Sequence, residues 1–210
     1  MTATETGFKY RFEAAQDTSA PTLLLLHGTG GDENDLLPLG RMLAPRAALL
    51  SPRGQVLENG MPRFFRRIAE GVFDQKDLAE RTSDLARFIE TMGASHNVTA
   101  SSLIAVGFSN GANIAASLLL RFPDQLAGAI LMRAMLPFIP EQTPNLSGRP
   151  ILLLSGKQDP IVPLDQPPAL ANLFRSAGAD VTLEWAAAGH GLTQAEVSKA
   201  QSWLHQHLFS

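Results

Sequence analysis

The segment Ser101-Ser102-Leu103-Ile104-Ala105-Val106-Gly107-Phe108-Ser109-Asn110-Gly111-Ala112-Asn113 constrains this chain more than any other. Leu103 to Val106 is a short apolar run of the kind a parallel sheet buries on both faces. From Ala112 to Leu120 the chain is rich in alanine and leucine, which favour a helix and leave it largely apolar. Between the two, Gly107 and Gly111 flank Ser109 in the pattern G-x-S-x-G. A serine so placed sits on a sharp strand-to-helix turn that exposes its hydroxyl, and its small neighbours let strand and helix approach closely. The stretch predicts a buried strand, a strained turn and a helix, with Ser109 as a candidate nucleophile.

The same alternation continues along the chain. Strands are predicted over residues 9–13, 22–26, 47–50, 103–106, 127–132, 151–154 and 181–186, the first as an exposed edge. A helix is predicted over residues 33–44, capped by Asp32 or Asn34, with Leu36, Leu37, Leu39, Met42 and Leu43 facing inward. Others follow over 75–92 (stopped by Gly93), from Asn110 onward, over 164–177 (interrupted by Pro167 and Pro168) and over 193–207, where Glu196 suits a capping box. Residues 1–8 are expected to fray and 15–21 to turn. Gln55 to Asp74 lacks a period and is expected to act as a lid or pocket wall, and residues 135–149 as a surface loop. Strands alternating with helices indicate an α/β fold with a mainly parallel sheet. No repeat or linker divides the 210 residues, so a single domain over 1–210 is expected.

Composition removes several function classes. A net charge of −3 offers no electrostatic footprint for nucleic acid or an anionic membrane. The absence of cysteine excludes disulfides, thiolate metal sites and a cysteine nucleophile, and it fits a reducing compartment. No apolar run is long enough to span a bilayer and no signal-peptide core is visible, so a cytoplasmic location is expected.

In open parallel sheets ligands bind beyond the carboxyl ends of the strands. Four predicted strand ends there carry reactive residue types: His27-Gly28-Thr29, Ser109, Asp159 and His190. Serine is a weak nucleophile without a base, and histidine suits that role because its reference pKa lies near 6.5. A carboxylate must then hold the histidine tautomer. The chain order Ser109, Asp159, His190 matches one known arrangement of such a triad. Asp165 and Asp180 compete with Asp159 for the orienting role, but one lies inside the next element and the other precedes a strand. His27 reads as a brace for its loop, and His96, His205 and His207 as surface residues. Asp32, Glu33 and Asp35 read as carboxylates at a helix start, where the dipole favours them, rather than as metal ligands. Arg66 and Arg67 read as solvated charges, and Trp185 as core or interface.

These motifs together resemble the α/β-hydrolase superfamily, and within it the carboxylesterase/phospholipase family of small serine esterases and thioesterases. The carriers are Leu26-His27-Gly28-Thr29-Gly30-Gly31-Asp32-Glu33, Gly107-Phe108-Ser109-Asn110-Gly111, Gly156-Lys157-Gln158-Asp159-Pro160-Ile161-Val162-Pro163 and Gly189-His190-Gly191. The resemblance runs from about Thr22 to the C-terminus. It implies an α/β-hydrolase fold of about seven strands with helices on both faces and no large cap domain. It further implies hydrolysis of carboxylic esters without cofactor or metal, and an oxyanion hole from the backbone N–H groups of Thr29 and Asn110. The implied partner is a small-molecule ester, with no nucleic acid or membrane span, and a homodimer is compatible with the family. Members acting on long-chain acyl-proteins typically carry Gln after the serine and Leu in the oxyanion loop. Asn110 and Thr29 depart from that pattern and resemble the branch associated with hydroquinone or catechol detoxification. Phe64, Phe65 and Phe73 either wall the substrate pocket or belong to the core. Thioesterase, lysophospholipase, carbon–carbon hydrolase and cofactor-free perhydrolase chemistry use the same triad. A non-catalytic binding protein on this fold is a further alternative.

Overall fold

Runs of consecutive apolar residues build the centre of a seven-stranded sheet. The computed structural model describes residues 7–17 and 20–208. In chain order the elements are β1 (Tyr10–Glu13), β2 (Thr22–Leu26), α1 (Leu37–Leu43), β3 (Ala48–Pro52), β4 (Val56–Glu58), β5 (Met61–Arg63), β6 (Arg67–Ala69) and β7 (Val72–Phe73). They continue with α2 (Gln75–His96), β8 (Leu103–Phe108), α3 (Asn110–Arg121), β9 (Gly128–Met132), β10 (Pro150–Gly156), α4 (Gln166–Ser176), β11 (Asp180–Ala186) and α5 (Gln194–Leu208). The sheet order is β1-β3-β2-β8-β9-β10-β11, parallel throughout except for β1, which pairs antiparallel with β3 at the edge.

Side chains on a strand alternate between faces, and here each face has its own core. Leu24, Leu26, Leu103 and Ala105 join the residues of α2, α3 and α4 on one side. Leu23, Leu25, Ile104 and Val106 join those of α1 and α5 on the other. Both faces are covered, which is why the central strands carry almost no polar residues. Among the described residues no helix is long and apolar enough to cross a membrane.

The topology also fixes where chemistry can occur. From β2 the chain steps outward to β3, then returns to place β8 on the opposite side of β2. Strand order reverses between β2 and β8, and in open parallel sheets ligands bind outside the carboxyl ends of the strands at such a point. Thr29 and Ser109 follow these two strands.

Several local expectations are corrected. The first helix is α1 and starts only at Leu37, because residues 33–36 form turns and Leu36 caps it without a side-chain bond. Met42 is 45% exposed rather than inward-facing. The Asp32 and Glu33 carboxylates therefore serve no helix dipole, and both pair with Arg53. Gly93 does not end α2; the helix continues to His96 and stops where Asn97 adopts a left-handed conformation, φ 55°. Pro167 and Pro168 lie in the first turn of α4, where a missing N–H breaks no helical bond. Gln55 to Asp74 folds into two small hairpins, β4–β5 and β6–β7. Phe8 is buried against Phe88, with ring centroids 4.9 Å apart, so it does not fray. The same expectation for residues 1–6, and the turn at 18–19, lie outside the described residues.

Candidate active site

Ser109 joins β8 to α3 with φ 53° and ψ −114°. A non-glycine residue held there stores about 1–3 kcal/mol of strain, which the surroundings must offset. Its N–H donates to Met132 O at 2.8 Å, and its carbonyl accepts the Asn113 N–H at 3.0 Å. Gly111 makes the turn sterically feasible, because any Cβ there would collide with the backbone oxygens of Leu26 and His27.

His190 meets Ser109 from the loop after β11. Its Nε2 lies 2.9 Å from Ser109 Oγ, and its Nδ1 lies 2.8 Å from Asp159 Oδ2. Asp159, in the loop after β10, has a fully buried side chain. Its Oδ1 accepts the N–H groups of Ile161 (2.8 Å) and Val162 (3.2 Å), which orients Oδ2 toward the imidazole. A carboxylate only accepts, so the proton between Asp159 and His190 belongs to Nδ1. Nε2 of a neutral ring is then a lone pair facing the Ser109 hydroxyl. Gly156 lets the two loops meet, since a Cβ there would stand 2.5 Å from the oxygens of Ala188 and Gly189. Asp165 and Asp180, the competing carboxylates, are exposed at the starts of α4 and β11.

Thr29 and Asn110 lie beyond the adjacent ends of β2 and β8. Asn110 is the first residue of α3, and the first N–H groups of a helix have no intrahelical partner. The hairpin β4–β5 braces the loop opposite: Gly30 N–H donates to Pro62 O at 2.9 Å, and Arg63 Nη1 donates to Thr29 Oγ1 at 2.7 Å. Arg63 is almost wholly buried, donates also to Phe65 O and pairs with Glu58 at 3.1 Å. Burial lowers the Arg63 pKa from its ordinary value, with Glu58 opposing the shift. Asn110 Oδ1 accepts the Phe64 N–H at 2.7 Å, so the residue beside the serine also anchors this hairpin segment.

Phe64, Phe65 and Phe73 are buried within the core, the last two in an edge-on contact at 5.1 Å. Arg66 pairs with Asp74 and Arg67 with Glu58 at the surface of the hairpins. His27 donates from Nδ1 to Gly28 O at 2.7 Å and accepts the Gly54 N–H on Nε2 at 2.9 Å. Burial lowers its pKa, which favours the neutral ring that accepting the Gly54 N–H requires. His96 stacks on Phe12 and His207 on Trp203, and Trp185 is half-buried on the outer strand β11. Among the described residues no group of three or more Asp, Glu and His is gathered to hold a metal ion. Sequence reasoning passed over Arg133, a single cation at the end of the apolar strand β9 and wholly buried. Its isolation at a strand's carboxyl end was the available signal.

A family model described as Phospholipase/Carboxylesterase matches residues 9–208. The chain belongs to that family. MhqD of Bacillus subtilis (strain 168) is 50% identical over 189 residues, covering 90% of this chain and 94% of that protein. The Bacillus cereus carboxylesterase superposes with a TM-score of 0.93 at 46% identity, over 95% of this chain and 94% of that one. A carboxylesterase from Mesorhizobium loti gives 0.88 at 32% identity, over 94% of each chain. The expected α/β-hydrolase fold and an ester-hydrolysing family are thereby borne out.

Proposed function

We propose that this protein hydrolyses carboxylic esters of small to medium substrates through an acyl-enzyme on Ser109. The observation that carries the reading is the continuous hydrogen-bonded path from Ser109 Oγ through His190 to the buried Asp159. His190 Nε2 takes the hydroxyl proton as Oγ bonds to the ester carbonyl carbon, and the carbonyl electron pair moves onto oxygen. The N–H groups of Thr29 and Asn110 stabilise that oxyanion; one such donor is typically worth about 10²–10³ in kcat. Collapse expels the alcohol oxygen, which takes the proton from His190. Water then attacks the acyl carbon, losing its proton to Nε2, and the proton returns to Ser109 Oγ as the acid leaves. Asp159 stays ionised and holds the ring throughout.

Ester chemistry is favoured over the other chemistries of this triad by the similarity to two carboxylesterases. The size limit rests on Asn110 and Thr29, which stand where family members acting on long-chain acyl-proteins typically carry Gln and Leu. Turnover of p-nitrophenyl esters of increasing chain length tests both parts. Activity should peak at short acyl chains and vanish in Ser109→Ala. Retained activity in that variant would sink the assignment of the nucleophile, and a maximum at long chains would sink the size limit.

A further inference from the structure

His190 sits on an irregular loop. Residues 187–193 connect β11 to α5 without helix or strand, and Gly189 and Gly191 flank the histidine. Glycine flanks restrict the backbone least of all residues. Yet the ring meets a carboxylate on one nitrogen and a hydroxyl on the other, both within 2.9 Å. Something outside the loop must hold it.

Arg133 lies against this loop as the first residue after β9. It is 1% exposed and has φ 59°, a left-handed conformation uncommon for a long side chain. A guanidinium carries five N–H donors in a rigid plane, and here five bonds are made. Nε donates to Gly189 O at 3.0 Å. Nη1 donates to Leu154 O at 3.2 Å and to Glu196 Oε1 at 2.6 Å. Nη2 donates to Gly191 O at 2.6 Å and to Glu196 Oε2 at 3.0 Å. The two glycine carbonyls bracket His190, and Nε also stands 3.9 Å from Asp159 Oδ2. Glu196 in turn accepts the Thr193 N–H and hydroxyl, both at 2.9 Å, which ties the far end of the loop to α5. Burial pushes the Glu196 carboxyl up, but the bonds from Arg133 and Thr193 outweigh it and hold the pKa below its ordinary value.

We infer that Arg133 is a positioning residue for ester hydrolysis: its fork clamps the carbonyls on both sides of His190 and keeps the imidazole aligned between Asp159 and Ser109. This rests on the reading of Ser109, His190 and Asp159 as the reacting groups. Geometry rather than charge carries the effect, because an ammonium at this position cannot reach both carbonyls and Glu196 together. A purely structural ion pair would, on removal, lower the melting temperature and leave turnover per folded molecule unchanged.

The test compares the wild type with Arg133→Lys and with the double variant Arg133→Met/Glu196→Gln, which removes both charges so that neither is left buried alone. Each is measured below its melting transition, with the folded fraction read by circular dichroism. The readouts are kcat and KM for p-nitrophenyl acetate, the rate of Ser109 labelling by a fluorophosphonate, and the low-field proton resonance of His190 Nδ1–H. That resonance is identified by its absence in His190→Ala. Both variants should lose at least about tenfold in kcat and in labelling rate with KM within about twofold, and the resonance should weaken. Turnover within about twofold of wild type in folded variants, with the resonance intact, overturns the role. So does full rescue by lysine, which would leave charge alone as the cause. A wild type that resists labelling, or a Ser109→Ala variant that retains turnover, refutes the reacting groups themselves, whatever Arg133 does.

Discussion

Gly111→Ala sets two physical effects against each other with opposite signs. Gly111 is the second residue of α3 and its φ is not positive, so alanine can adopt the backbone conformation. Helix propensity alone favours alanine by up to about 1 kcal/mol, which would raise the melting temperature of a chain this size by roughly 2–4 °C. Space argues the other way. The new Cβ would lie 2.6 Å from His27 O and closer still to Leu26 O, where real Cβ atoms keep at least 3.0 Å. Both obstacles are backbone atoms at the end of β2, so no side chain can rotate aside. The start of α3 must move away, and with it Ser109 and the Asn110 N–H. Overpacking of this kind costs about 1–3 kcal/mol, enough to cancel the propensity gain and lower the melting temperature by several degrees. A displacement near 1 Å at a reacting atom costs up to about 10² in rate. Gly111→Ala should therefore melt earlier and lose about 10² in kcat/KM for p-nitrophenyl acetate. A variant that melts higher than wild type and keeps its activity would refute the steric argument.

Asp159→Asn should lower kcat by about 10⁴, since Oδ1 would stay bonded to Ile161 and Val162 and turn the amide NH2 toward His190, favouring the wrong tautomer; a loss under tenfold contradicts that role. Thr193→Ala removes the hydroxyl that bonds Glu196 in both directions across the start of α5. The loss should be about 1 kcal/mol in denaturant unfolding, whereas Thr193→Ser should recover most of it. His27 has a folded pKa lowered by burial. Below about pH 6.5 the unfolded chain therefore binds a proton that the folded one resists, and stability falls as pH drops through that window. Melting temperatures between about pH 7.5 and pH 5 should fall less steeply in His27→Asn, and an unchanged slope would exclude His27 as the source.

The fold was largely legible because its signals are local. Apolar runs such as Leu23 to Leu26 and Ile104 to Val106 announce strands buried on both faces, and the stripe Leu78, Leu85, Phe88, Ile89, Met92 announces a helix. Boundaries failed where local and distant preferences differ. Gly93 looks like a helix stop, but its backbone remains helical and Asn97 takes the left-handed turn instead. Residues 33–36 look helical, but Glu33 and Asp32 are drawn to Arg53, which follows another strand. The hairpins of Gln55 to Asp74 lacked a period because their strands are only two or three residues long.

For the site, the sequence by itself determined which residues stand at strand ends and in what order: Thr29, Ser109, Asp159 and His190. Strand polarity in a parallel sheet sends those ends to one edge, so their convergence followed from pattern alone. What only the tertiary structure decided is how they are held. The bracing of Thr29 by Arg63, of Phe64 by Asn110 and of the His190 loop by Arg133 joins residues 34, 46 and more than 50 positions apart. Apart from the lone cation of Arg133 after an apolar strand, none of these contacts leaves a periodic or compositional trace. A buried donor needs an acceptor wherever the fold brings one, and that is settled by the packing of whole elements.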